Sequence, residues 1–375
     1  MSTITRRVPL LDLQAQHKRI REEVLGAVTR VIDSQHFILG EEVSSLEREI
    51  AAYCECEYAV GCASGSDALI LALAAAGVGP GDEVLTAPYT FFATAGAISH
   101  VGATPLFVDV DERTFNIDVE QAVDALSKRT VRAIVPIHLF GGCADMDPLL
   151  AAAAQYGVTV IEDAAQSIGS EYKGRRAGSL GTIGCFSFFP SKNLGGFGDG
   201  GMLTTSHASV AERLMALRAH GSRKKYLHEV VGYNSRLDAL QAAVLRVKLG
   251  YLDGWSAGRA ANADRYRARI AEMQLPIVPA APAAYQNRHI YNQFVIRSDR
   301  RDELQQFLKE REIGSEVYYP LPMHLQPCYA FLGHARGAFP VSERLARESL
   351  ALPIHSELAA DDIDYICDTL RAFFG

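Results

Sequence analysis

Lys192 stands in the run CFSFFPSKNLGGFGDGGML, after an apolar strand-like segment and before a glycine-rich turn. That is a poor setting for a lysine solvated on a helix face. Partial burial there would disfavour the ammonium, lower its pKa and leave an amine free to attack a carbonyl and then shuttle protons. Asp163, in VTVIEDAAQS, closes another apolar run at the carboxyl end of a strand, where ligands of open α/β sheets bind. Gln166 follows three residues later as a side-chain donor. CASGSDALILAL sets Ser64, Gly65 and Ser66 between a strand and a helix, so backbone amides and a hydroxyl converge on the positive end of the helix dipole as an anion site. Ser187, five residues before Lys192, is a further candidate for that anion. In APYTFFAT, one ring of Tyr89, Phe91 and Phe92 could stack on a planar ligand. A lysine to hold an aldehyde, an acid to keep a pyridine nitrogen protonated, and donors for a phosphate are what amine chemistry on such a cofactor needs.

Taken singly, these residues have plainer readings. Most lysines are solvated, an aspartate after a strand commonly caps the next helix, and aromatic runs default to the core. Three further segments concentrate His, Tyr, Arg and Lys in loop-like sequence: HLFGG from His138, HGSRKKYLHEVVGYNSRLD from His220, and YYPLPMHLQP from Tyr318. They are candidates for binding an anionic, hydroxyl-rich ligand, or equally solvated surface. The sharper reading rests on conjunction, and conjunction requires a scaffold that brings these segments together.

Such a scaffold is legible between residues 58 and 206, where short apolar runs alternate with helix-like segments. Strands are expected at YAVGCAS, EVLTAP, TPLFVDV, VRAIVPIHLF, VTVIED, GCFSFFP and GMLTTS. Several are almost continuously hydrophobic, as strands covered on both faces are. SDALILALAAAG and DPLLAAAAQYG read as helices ending at glycine. An α/β fold follows: a large, mostly parallel sheet with helices on both sides. The long stretch RLDALQAAVLRVKLGYLDGW then gives way to the helix ANADRYRARIAEM and a Pro/Ala-rich break, LPIVPAAPAAYQ. Beyond it YNQFVIR and GSEVYYP read as strands and DELQQFLKERE and DDIDYICDTLRAFF as helices. The expected division is residues 1–250 as N-terminal region and large ligand-binding domain, and 251–375 as a small α+β domain.

Composition agrees with a globular chain: 375 residues, 48% hydrophobic and 22% charged. A net charge of -7 argues against generic nucleic-acid or anionic-membrane binding, but does not exclude a phosphorylated ligand met by local cations. Seven cysteines, odd in number and without a C-x-x-C pair, fit free thiols. No window reaches the ~18 apolar residues of a membrane span, and the N-terminus carries no long apolar stretch. A cytoplasmic protein with no metal is the expectation.

The order SGSDAL, PYTFFAT, EDAAQS, SFFPSKNLGGFGDGG, GYNSRLDALQAA resembles the DegT/DnrJ/EryC1/StrS family of sugar aminotransferases, from about Leu10 to the C-terminus. The resemblance implies a fold-type I aminotransferase, pyridoxal phosphate as cofactor, and a homodimer with active sites at the subunit interface. By position it implies Lys192 as covalent anchor, Asp163 at the pyridine nitrogen and Gln166 beside the ring hydroxyl. It implies Gly65, Ser66 and Ser187 at the phosphate, Phe91 as the stacking ring, and Asn234 reaching the phosphate from the partner subunit. Lys225, Tyr226, His228, Tyr318 and His324 would lie near a nucleotide-linked sugar, with L-glutamate as amino donor. Relatives that act as dehydratases carry histidine at the anchoring position; here it is Lys192. GSRKKYLHE and GYNSRLDALQAA look more like members acting at C3 of a dTDP- or UDP-linked keto-sugar than those acting at C4. Amination of a 4-keto sugar or a cyclitol, and a regulatory or binding protein on the same scaffold, remain the alternatives.

Overall fold

The structure, a computed structural model, describes residues 6–224 and 226–375. Its centre is a seven-stranded sheet made from the seven apolar runs: β1 (Tyr58–Cys62), β2 (Glu83–Thr86), β3 (Thr104–Phe107), β4 (Ala133–Ile134), β5 (Thr159–Asp163), β6 (Ile183–Ser187) and β7 (Gly201–Thr205). The spatial order is β1-β7-β6-β5-β4-β2-β3. β7 runs antiparallel to both neighbours, and every other adjacent pair is parallel. β4 is shorter than its apolar run because Pro136 has no N–H for the ladder. Pairing resumes beyond it, where Ile137 bridges Asp163 and the His138 amide donates to the Asp163 carbonyl at 3.0 Å.

β1 and β2 lead into helices, as crossovers between parallel strands commonly do, whereas β5 and β6, which carry Asp163 and Ser187, run into loops. α3 (Gly65–Ala75), α4 (Phe92–His100), α5 (Val119–Lys128) and α6 (Met146–Tyr156) lie among the parallel strands, and α7 (Ala208–Arg218) follows β7. Two buried clusters pack on the sheet, one around Val60, Leu71, Val84, Ile161 and Leu203, the other around Leu85, Phe115, Leu149, Phe186 and Met202. In the chain before β1, α1 (Leu13–Ser34) and α2 (Glu41–Tyr53) pack against helix Ala239–Leu249.

A long helix, Leu252–Glu272, leads into a second core built on a three-stranded antiparallel sheet of Val278–Pro279, Phe294–Arg297 and Ser349–Leu352, with helices Arg301–Glu310 and Ala360–Phe374. Val8 joins this core, bridging Ile313 in parallel. GSEVYYP departs from the expected strand: only Glu316 bridges Ala351. The extended run then stops because Tyr319 turns into the left-handed region, φ 58°, which no ladder position accepts. Among the described residues no helix is long and apolar enough to cross a membrane and no cluster of metal-ligating side chains occurs.

Candidate active site

The C-terminal ends of β1, β2, β5 and β6 open onto one cavity of about 430 Å³. Ser64, Gly65, Ser66, Phe91, Asp163, Gln166, Ser187, Lys192 and Tyr318 all line it. Segments as far apart in sequence as Ser64 and Tyr319 thus converge on a single site.

Asp163 ends β5 and is 5% exposed. Its Oδ2 accepts the Thr94 hydroxyl at 2.7 Å and its Oδ1 the Ala165 amide at 3.2 Å. Burial pushes its carboxyl pKa up, and these two donors and the nearby Lys192 pull it back. Such a carboxylate gains from any cation brought against it.

Lys192 sits in the loop from β6 to β7. Its flanks are tied down: its own amide donates to the Phe189 carbonyl at 2.9 Å and the Asn193 side chain to the Ile290 carbonyl at 3.0 Å. The buried Lys248 ammonium holds the Gly195 carbonyl, and Gln241 accepts the Phe197 amide. Loss of hydration lowers the Lys192 pKa to about 8, against an upward pull from Asp163. At neutral pH such an amine is still mostly protonated, but about a tenth of it is neutral and nucleophilic, far more than of an ordinary lysine.

At the N-terminus of α3, Ser64 caps the helix by accepting the Asp67 amide at 3.1 Å. The amides of Gly65 and Ser66 donate to no acceptor among the described residues, leaving them for an anion. A Cβ at Gly65 would lie 2.5 Å from the Ser187 Cβ and 2.9 Å from its Oγ. Glycine is therefore what lets the β6 serine close on the helix end. Phe91, 62% exposed at the start of α4, offers a ring face that the core does not use, whereas Tyr89 is buried.

Gln166 accepts the Phe140 amide on its Oε1 at 2.7 Å and donates from its Nε2 to the Tyr319 hydroxyl at 2.8 Å. Thr94 and Tyr319 were not among the sequence candidates. Thr94, two residues after the aromatic run, is a threonine on a helix like many others. Tyr319 is the second of a Tyr-Tyr pair of which Tyr318 was named.

Four expected residues lie elsewhere in this chain. His324 is a correction: it is 1% exposed, its Nε2 is 3.1 Å from Glu343 Oε1, and its ring meets Phe339 edge-on. Its loop folds inward under the helix Pro340–Glu348, so the imidazole is a buried paired group and not part of the cavity wall. Tyr226 and His228 are exposed on the small hairpin of Ser222–Lys224 and Leu227–His228, away from the cavity lining. Lys225 lies outside the described residues. Asn234 is exposed, while its neighbour Ser235 is buried and donates to Asp67 Oδ2 at 2.7 Å. Asn234 does not line this chain's own cavity.

The residues fit a phosphorylated pyridine aldehyde. A desolvated lysine, a buried acid with room for a cationic partner, a helix end with spare amides and an exposed ring surround one space. The model of the DegT/DnrJ/EryC1/StrS aminotransferase family matches residues 18–371. The chain is 44% identical over 364 residues to the UDP-N-acetyl-3-dehydro-alpha-D-glucosamine 3-aminotransferase of Acidithiobacillus ferrooxidans, covering 97% of each. It is 48% identical over 368 residues to the pleiotropic regulatory protein of Geobacillus stearothermophilus, covering 98% of each. Among solved structures, S. venezuelae DesV in complex with a ketimine intermediate superimposes with a TM-score of 0.95 at 44% identity, covering 98% of this chain and 99% of that one.

Proposed function

This chain belongs to the DegT/DnrJ/EryC1/StrS aminotransferase family, and from that premise we propose that it moves an amino group from L-glutamate to C3 of a 3-keto sugar carried on dTDP or UDP. It is a pyridoxal-phosphate-dependent aminotransferase of nucleotide-linked sugars. The observation that carries the reading is the convergence of Lys192, Asp163 and the α3 N-terminus on one cavity. The similarity to a UDP-sugar 3-aminotransferase supports C3.

Pyridoxal phosphate, when bound, supplies an aldehyde for covalent attachment and a ring that accepts electrons. Lys192 Nζ is the covalent anchor. Its amine would serve as the acid/base group, taking a proton from the glutamate α-carbon in one half-reaction and giving one to the sugar carbon that becomes amine-bearing in the other. Asp163 would keep a proton on the ring nitrogen, a role its burial and its Thr94 bond suit. Gly65, Ser66 and Ser187 would hold the phosphate, Phe91 would cover a ring face, and Gln166 would meet the ring hydroxyl. Tyr318 borders the space left for the sugar.

The remaining candidates fit a homodimer. Asn234, Tyr226 and His228 are exposed, and Val231 between them in the chain is 96% exposed. A second copy would be covered by that edge and would receive Asn234 at its phosphate and the hairpin at its sugar nucleotide. A regulatory role on this scaffold has one observation in its favour, the regulatory relative at 48% identity. The intact lysine, acid and phosphate site favour catalysis.

The test runs the reaction backwards on stable substrates. Holoprotein and 2-oxoglutarate are mixed with 3-amino or 4-amino nucleotide sugars and glutamate is measured. Glutamate from the 3-amino sugar alone is the expected result. Turnover of the 4-amino sugar alone would move the reaction to C4. Failure to bind the cofactor at all would return the chain to the regulatory reading.

A further inference from the structure

Of the groups lining the cavity, Gln166 is the most closely held. Its Oε1 accepts the Phe140 backbone amide at 2.7 Å and its Nε2 donates to the Tyr319 hydroxyl at 2.8 Å. A backbone N–H can only donate, so the end facing Phe140 must be the carbonyl oxygen. The amide has one workable orientation, with its NH2 toward Tyr319 and the cavity.

The two residues that hold it share an unusual conformation. Phe140 and Tyr319 both have φ 58°, a region that bulky L-residues avoid. Their rings are stacked, centroids 6.2 Å apart and planes 10° apart. Tyr89 meets Tyr319 edge-on at 5.5 Å and Phe115 meets Phe140 at 5.4 Å. Four rings therefore fix the two backbone turns whose N–H and hydroxyl grip the same amide. Strained conformations persist only where their surroundings over-determine them, and they gather where geometry matters.

We propose that Tyr319 is a positioning residue that, with Phe140, locks the Gln166 amide so that one Nε2 hydrogen goes to Tyr319 and the other is presented to the planar ligand in the cavity. The identity of that ligand rests on the function proposed above, whereas the lock itself does not. Tyr318, joined to Tyr319 by a peptide bond, lines the same cavity and its carbonyl accepts the Tyr89 hydroxyl at 3.4 Å. The segment that borders the sugar space thus also orients the donor to the cofactor ring.

Tyr319→Phe removes the hydroxyl and keeps the ring stack. In apoprotein labelled with 15N-glutamine, the Gln166 side-chain amide, assigned by its absence in Gln166→Ala, is expected to show two widely separated proton resonances that draw together in Tyr319→Phe. In the holoprotein the pH midpoint of the bound cofactor's visible band should shift. The kcat should fall roughly tenfold, as loss of one hydrogen bond allows, with KM for the nucleotide sugar within about twofold. Unchanged resonances, or an unchanged midpoint and kcat, overturn the proposal. If wild-type protein takes up no pyridoxal phosphate, the function fails while the apoprotein resonances still decide the lock. Should Tyr319→Phe not fold, the wild-type apoprotein suffices: the Nε2 hydrogen held by Tyr319 must exchange with water far more slowly than the corresponding hydrogen of a free glutamine amide, and free-amide rates at both hydrogens defeat the lock.

Discussion

Burial moves Lys192 and Asp163 in opposite directions, and the pH behaviour follows from the signs. Lys192 falls from its ordinary 10.5 to about 8, so the neutral amine becomes available as pH rises through about 8. The rate at which apoprotein takes up pyridoxal phosphate, followed by its visible band, should rise through that value. The unfolded chain holds this proton up to its ordinary pKa and so binds more protons between the two values. Apoprotein stability from this group therefore increases as pH rises across that window, and Lys192→Ala should flatten the increase. Asp163 is displaced upward. Thr94→Val removes a donor to its carboxylate, worth about 1.5–3 kcal/mol for a bond to a charged group. The acid limb of the kcat profile should then move to higher pH with kcat down at least about tenfold; an unmoved limb would mean that Asp163 is not the titrating group. Gly65→Ala drives a Cβ into Ser187, an overpacking cost of about 1–3 kcal/mol. Cofactor titration by fluorescence should show affinity weakened by roughly tenfold, with circular dichroism unchanged.

At the scale of elements, the strands were readable because doubly covered strands write their burial into sequence as unbroken apolar runs. Lys192, Asp163 and the Ser64–Ser66 turn were readable for a related reason, since each follows such a run. The Tyr319 turn was not. Left-handed φ in an aromatic residue has no sequence signal of the kind glycine gives, and GSEVYYP has the composition of a strand. His324 was misplaced because loop-like sequence around a histidine does not reveal that Glu343, 19 residues on, will come back to pair with it. The α3 cap is an element-scale device with a measurable size. Ser64→Ala should cost about 1 kcal/mol by denaturant unfolding and lower phosphate affinity, because it frays the helix turn that presents the Gly65 and Ser66 amides.

For the whole molecule we propose the division at residues 1–250 and 251–375, with Val8 the exception that packs back into the second core. The exposed Asn234 makes a prediction that only an assembly can satisfy. Lys192→Ala and Asn234→Ala, each of low activity alone, should regain activity when co-refolded, because in a mixed dimer one site receives intact Lys192 from one subunit and intact Asn234 from the other. Random pairing gives about a quarter of the wild-type rate. No recovery would place Asn234 outside the shared site. The sheet adds a different consequence. β6 and β7 are antiparallel neighbours, with Ser187 opposite Gly201, so the chain that carries Lys192 leaves the sheet and returns to it at one point. Residues 188–200 are in effect a closed excursion from the sheet, so a change of length or side chain there would not re-register a strand, and its cost would fall on the bonds that tie the excursion to Ile290, Gln241 and Lys248.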